Sequence, residues 1–269
     1  MPRPTRGLGV TSGLDPGVAR ELAARCQDLG YHSLWCNDEA DAPGLESLAH
    51  FAAGAPGLQL GVGALPLHRY EPARIAAEID RLSLDPSKLW IAIGSGSLRP
   101  QIAVVEQAVA ALRELLPDGP RIVVAAMRPR LSRLGGKVAD GVLLNWILPD
   151  QINRARGWVS EGAAQAERSG PPVASYVRVA VGPGALKRLR DEEGFYRTVN
   201  EGHRRHFEAM GVEVGSVGVA GTGQAAVQEE LRPYQAVLDV PIVRVLADRD
   251  LMALTAVADA AAPQSTSAS

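Results

Sequence analysis

The residues in this chain that could do chemistry cluster just after short apolar runs. Asn37-Asp38-Glu39 follow SLWC, His68 lies in the loop PLHRYEP after LQLGVGAL, Ser95-Gly96-Ser97 follow KLWIAI, and Ala126-Met127-Arg128 close RIVVAAMRP. Glu39 could exchange a proton if burial raised its pKa, and an imidazole such as His68 titrates near neutrality. The GSGS loop offers backbone N–H groups and two hydroxyls where a helix would begin, an arrangement suited to an anion. Gly61 and Gly63 alternate with Leu60, Val62 and Ala64. A strand so thinned lets another backbone or a flat ligand come close. The chemistry suggested is therefore recognition of a flat, anionic ligand with proton exchange beside it.

Such residues need strand ends to hold them together. Short apolar runs and helical stripes alternate from end to end. Strands are predicted at Gly7 to Thr11, Ser33 to Asn37, Leu58 to Ala64, Leu89 to Ile93, Arg121 to Ala126, Gly141 to Asn145, Ala174 to Val181 and Pro241 to Leu246. Val18, Leu22, Cys26 and Leu29 form one helical stripe, and Ile102, Val105, Val109, Leu112 and Leu116 form another. About eight strands is the number that closes a TIM (β/α)8 barrel, in which strand C-termini converge on one face. An open doubly wound sheet shares the same rhythm. The one long excursion, from Gly182 to the helix around Gln224 to Tyr234, would be a lid or extra packing.

Composition narrows the function classes. The chain has 269 residues, 46% hydrophobic, with formal net charge −2 and arginines scattered rather than in blocks. A nucleic-acid partner is not expected. No apolar run reaches the ~20 residues needed to span a bilayer, and the opening MPRPTRG lacks the apolar core of a secretory leader. Cys26 and Cys36 sit at apolar-periodic positions and read as reduced core residues, consistent with a cytoplasmic protein. One domain over residues 1–262 and a flexible polar tail over 263–269 are expected.

Taken in order, these segments resemble the luciferase-like monooxygenase family, barrels that bind flavin mononucleotide (FMN) or the deazaflavin coenzyme F420. GLGVTSGLDPGVARELAARCQDLGYHSLWCND is similar to the family's opening strand, first helix and second strand. LGVGALPLHRYEPARIAAEIDRLS resembles its third strand and helix, KLWIAIGSG its fourth strand, and RIVVAAMRPRLSRLGGKVADGVLLNW the fifth strand to the sixth. AGTGQAAVQEELRPYQAVLDVPIVRVLA looks like its last helix and strand. AAMRP followed by ADG is closest to the F420-dependent branch. The resemblance implies that Ala126, Met127 and Arg128 face the cofactor's phosphate, with Ser95 and Gly96 near its polar tail. It implies that Asn37 and Asp38 hydrogen-bond the ring or its side chain. It also implies a non-prolyl cis peptide, here Gly63–Ala64, against the ring face.

The implied activity is hydride transfer between F420, or a flavin, and a small organic substrate. The alternatives are an FMN-dependent monooxygenase using dioxygen and a cofactor-binding barrel without turnover. Candidate catalytic residues are Glu39 and His68. A homodimer is the assembly the resemblance implies. Three features depart from the family. Asp38-Glu39 stands where Asp-His is usual, Ser97 where F420-dependent sugar-phosphate dehydrogenases carry a glutamate, and the connection after the fourth strand is short.

Overall fold

A computed structural model describes residues 5–264. The first half runs β1 (Gly7–Val10), α1 (Pro16–Asp28), β2 (Ser33–Cys36), α2 (Gly44–Gly54), β3 (Gln59–Pro66), α3 (Pro72–Arg81), β4 (Leu89–Gly94) and α4 (Gln101–Leu115). There follow β5 (Arg121–Ala125), α5 (Pro129–Val138), β6 (Gly141–Asn145), α6 (Pro149–Gln165) and β7 (Val173–Val181). The excursion is α7 (Ala185–Val199), α8 (Glu201–Met210) and β8 (Val219–Gly221), and the chain ends with α9 (Gln224–Val237), β9 (Val240–Val245) and α10 (Leu251–Ala260).

Closure decides between barrel and open sheet. β1 to β6 pair in sequence, β6 pairs with β7, β7 with β9, and β9 with β1, all parallel. This is a TIM barrel, with β8 appended to the C-terminal end of β7. All the predicted strands form. The third runs on to Pro66 across an irregularity between Gly63 and Leu65, where the Gly63–Ala64 peptide is cis. Helices α2 and α10 and strand β8 had no counterpart in the predicted elements. The connection after β4 spans only Ser95 to Pro100. Residues 1–4 of the opening segment and residues 265–269 of the predicted tail lie outside the described residues.

Side-chain alternation divides the core into two. Leu8, Leu34, Val62, Ile91, Val124 and Val243 point outward to the helices, while Trp35, Trp90, Val123, Leu143, Tyr176 and Ile242 fill the barrel. Gly61 and Gly63 belong to this filling. A Cβ on Gly61 would lie 2.1 Å from the Trp35 ring, and one on Gly63 2.4 Å from Leu143. The thin strand therefore makes room for the protein's own indole and leucine, a correction to the expectation of open space for a ligand.

The helical jacket depends on a close crossing. A Cβ on Gly162 of α6 would lie 1.9 Å from the Arg133 carbonyl oxygen of α5, whereas Gly157, on the exposed side of the same helix, has nothing within 4 Å. Gly162→Ala should cost about 1–3 kcal/mol through overpacking. Gly157→Ala should add about 0.5–1 kcal/mol by restricting the unfolded chain. Opposite signs in urea denaturation check this; equal shifts would contradict the crossing.

Candidate active site at the C-terminal mouth of the barrel

Two residues beyond each interior side chain, the strands present a final inward layer. Gly94 and Ala125 follow Ala92 and Val123, Asn37 follows Trp35, Asn145 follows Leu143, and Arg178 and Arg244 follow Tyr176 and Ile242. The layer is divided by chemistry. On the β3 to β5 side it consists of Ala64, Gly94 and Ala125, all half-buried. A Cβ on Gly94 would sit 3.8 Å from that of Ala125 and 3.9 Å from that of Ala64, so the three make one small-residue floor. Tyr176 supports it from beneath, its hydroxyl 3.2 Å from the carbonyls of Cys36 and Gly63.

The β1, β2 and β9 side is polar. Asn37 Oδ1 accepts from the Ser12 N–H (2.8 Å), and its Nδ2 donates to Glu39 Oε1 (3.1 Å). Thr11 Oγ1 donates to the same Glu39 oxygen (2.8 Å), and Arg249 approaches Glu39 at 3.6 Å. A cleft of about 480 Å³ opens here, lined by Thr11, Asn37, Glu39, Glu192, Tyr196, Arg244 and Arg249 among others.

Asp38, next in sequence, faces the other way. Its side chain is fully buried and accepts from Gly44 N–H (2.9 Å), Tyr70 Oη (2.9 Å) and Arg69. It ties the loops after β2 and β3 together. Burial and this bond push the Tyr70 hydroxyl up to about 12.

The remaining sequence-predicted residues lie around the floor, outside the cleft. His68 is exposed, and its Nδ1 accepts from Ser97 N–H (3.3 Å). The ring covers Gly96, whose φ is +57° and where a Cβ would lie 1.9 Å from Nδ1. Ser95 is buried beneath. Ala126 gives its N–H to Leu143 O (2.9 Å), so that amide is committed to the sheet. Met127 is half-buried and Arg128 exposed at the start of α5. Pro129 opens that helix and no side chain caps it, so its first-turn amides have no side-chain partner and can donate to an anion.

The model of a family described as luciferase-like monooxygenase matches residues 99–236. The chain belongs to the luciferase-like monooxygenase family. Solved structures share the luciferase-like barrel at low identity. An F420-dependent secondary alcohol dehydrogenase in complex with an F420-acetone adduct is 16% identical with a TM-score of 0.78, covering 97% of this chain and 99% of that one. The coenzyme F420 dependent tetrahydromethanopterin reductase from Methanopyrus kandleri is 16% identical with a TM-score of 0.68, covering 95% and 98%. The oxygenating constituent of 3,6-diketocamphane monooxygenase from Pseudomonas putida, in complex with FMN, is 14% identical with a TM-score of 0.71, covering 98% and 99%.

In this luciferase-like barrel the excursion forms a wall over β6 and β7. Trp146 is fully buried with φ +50°, and its ring meets Tyr196 at 5.1 Å and Phe207 at 5.4 Å. His206 Nε2 lies 2.6 Å from the Trp146 carbonyl, and Glu193, paired with Arg197 of the same helix, fastens α7 to the loop after α8 by accepting from the N–H groups of Gly215 and Val217. Of the two readings of this segment, its contacts are those of packing. Burial, then the nearby Arg178, lowers His203 from 6.5 to about 4, and burial also lowers His206. Because the unfolded state takes up these protons first, the stability from neutral His203 is complete above pH 6.5 and is lost as pH falls toward 4. Trp146 fluorescence should report loosening of the wall across that window; a flat profile would contradict it.

Arg178 and Arg244 escaped the sequence reading. Their signal was present: each is a lone charge inside an otherwise apolar strand, SYVRVAV and PIVRVL. Among the described residues, no helix is long and apolar enough to cross a membrane.

Proposed function

We propose that this protein is an oxidoreductase that holds coenzyme F420 in the barrel mouth and passes a hydride between it and a small organic substrate. The observation that carries the reading is the floor of Ala64, Gly94 and Ala125 beside the uncapped start of α5, in a chain of this family. A flat ring fits small side chains, and a phosphate fits free helix amides. When bound, F420 supplies the carbon that gives or takes the hydride.

The chain's own residues bind, orient and move protons. Arg128 and the first turn of α5 hold the anionic end, with Met127 and the Ala126 turn shaping that edge. Ser95 and Gly96 form the neighbouring loop, which His68 fixes in place. Gly63 and Ala64 present the irregular end of β3 to the ring. Asp38 acts by holding the adjoining loops, and Asn37 by orienting Glu39. Glu39 faces the cleft and is the group that exchanges the substrate's proton.

FMN is the alternative cofactor, and monooxygenation by reduced FMN the alternative reaction. That chemistry needs a site sealed from water. The short connection from Ser95 to Pro100 leaves the β4 side of the mouth with little cover, which favours F420. A cytoplasmic homodimer completes the reading.

Arg128→Ala should weaken F420 binding about tenfold by removing one charge-assisted contact at an exposed position. Unchanged affinity would remove Arg128 from the site. The activity itself is tested by mixing the protein anaerobically with reduced F420 and a panel of carbonyl compounds. Bleached cofactor recovering its colour with product formed supports the reading; oxygen uptake on adding reduced FMN instead would favour the monooxygenase.

A further inference from the structure

Two arginines sit inside the mouth of this barrel with no acid to answer them. Arg178 of β7 and Arg244 of β9 are direct neighbours in the sheet register and point into the same inward layer. Their exposures are 3% and 8%, values at which a guanidinium normally has a carboxylate partner. Neither has one among the described residues. Arg178 donates to the Asn145 side chain and lies 3.7 Å above the Trp146 ring, while its Nε has no partner. Arg244 reaches only its neighbour's carbonyl, Val245 O, at 3.4 Å.

The acids nearby are engaged elsewhere or stand apart. Glu193 is bound to Arg197, Glu39 lies near Arg249, and Asp191 pairs with Lys187. Asp248 is exposed, and Glu192, half-buried in the cleft wall, makes no ion pair. Burial, opposed by Tyr196 and aided by the neighbouring Arg244, lowers Arg178 to about 10. Arg178 therefore stays charged at neutral pH, and the mouth holds two guanidinium groups side by side, both largely shielded from water. Arg244 opens onto the 480 Å³ cleft that also contains Thr11, Asn37 and Glu39.

We propose that Arg178 and Arg244 form the receptor for an oxyanion on the substrate, so that the enzyme acts on small organic acids, carboxylates or sulfonates, held with the anion at β7 and β9. This rests on the oxidoreductase reading for the reaction, though not for the binding. The anion supplies the missing counter-charge in a low-dielectric site, where a planar oxyanion and a guanidinium fork match in geometry. Arg244 makes the contact. Arg178, clamped by Asn145 and Trp146, adds its field from behind and holds Arg244's side of the mouth positive. Glu39, across the cleft, is then placed to work on the far end of the bound molecule. The cofactor's own phosphate is the other source of an oxyanion, and it is distinguished by the test.

The test is calorimetric titration of the whole chain with hexanoate, hexanesulfonate and hexanamide, and separately with F420 and FMN, for wild type and Arg244→Gln. The two anions should bind saturably, hexanamide at least about tenfold more weakly, and Arg244→Gln should erase the difference while F420 affinity holds. Should that variant fail to fold, the arginine Nε resonances of the wild type give the same answer, since hexanoate and not hexanamide should shift them. Equal binding of acid and amide would overturn the inference, as would loss of F420 affinity in Arg244→Gln without any carboxylate binding, which would assign the arginines to the cofactor. Hexanoate binding with neither F420 nor FMN bound would support the inference and sink the cofactor reading alone.

Discussion

Ala125→Trp should weaken cofactor binding, lowering affinity for F420 or FMN at least about a hundredfold, equivalent to about 2.8 kcal/mol, while the fold persists. Ala125 is the last residue of β5, half-buried, pointing into the mouth with Ala64 and Gly94 close beside it. The layer beneath, from Trp35 to Ile242, is already filled, so an introduced indole has nowhere to go except onto the floor. The change lies above the packed core, so the melting temperature should stay near that of the wild type. Titration of the variant by cofactor fluorescence measures the loss. Wild-type affinity in a folded variant would mean that the cofactor ring lies elsewhere.

Asp38→Ala should cost about 3 kcal/mol of stability. The carboxylate is fully buried, and its removal strands the Gly44 amide, the Tyr70 hydroxyl and the Arg69 guanidinium. Arg69 is 29% exposed and can turn partly to water, which holds the cost to the lower end of the range for broken buried pairs. Asp38→Asn keeps the shape and part of the bonding and should lose less. Urea denaturation checks both. A loss under about 1 kcal/mol for Asp38→Ala would show that the tie between the loops after β2 and β3 is incidental.

Strands were legible because a parallel strand buried on both faces is written as an apolar run, and each such run here became one. The mouth was legible at the strand ends in Asn37, Glu39 and Ala64, whereas at the fifth strand the sequence pointed to Ala126 and the inward-facing residue is its neighbour Ala125. Direction was less legible. Asp38 and Glu39 are adjacent, yet one ties loops and the other faces the cleft, and only the positions of Arg69, Tyr70 and Arg249 decide which. The glycines of β3 read as space for a ligand because the Trp35 ring that occupies that space comes from another strand. The role of the excursion depended on Trp146 meeting Phe207 and His206, contacts about 60 residues apart in sequence. Arg178 and Arg244 needed the register of β7 on β9 before two isolated charges became a pair.

The most direct test of the central claim is a titration of the purified protein with F420 and with FMN, each followed by its own visible absorbance and fluorescence. F420 should bind saturably and more tightly than FMN, with binding lost in Ala125→Trp and weakened in Arg128→Ala. Saturable binding of neither chromophore by the folded wild-type protein would contradict the claim.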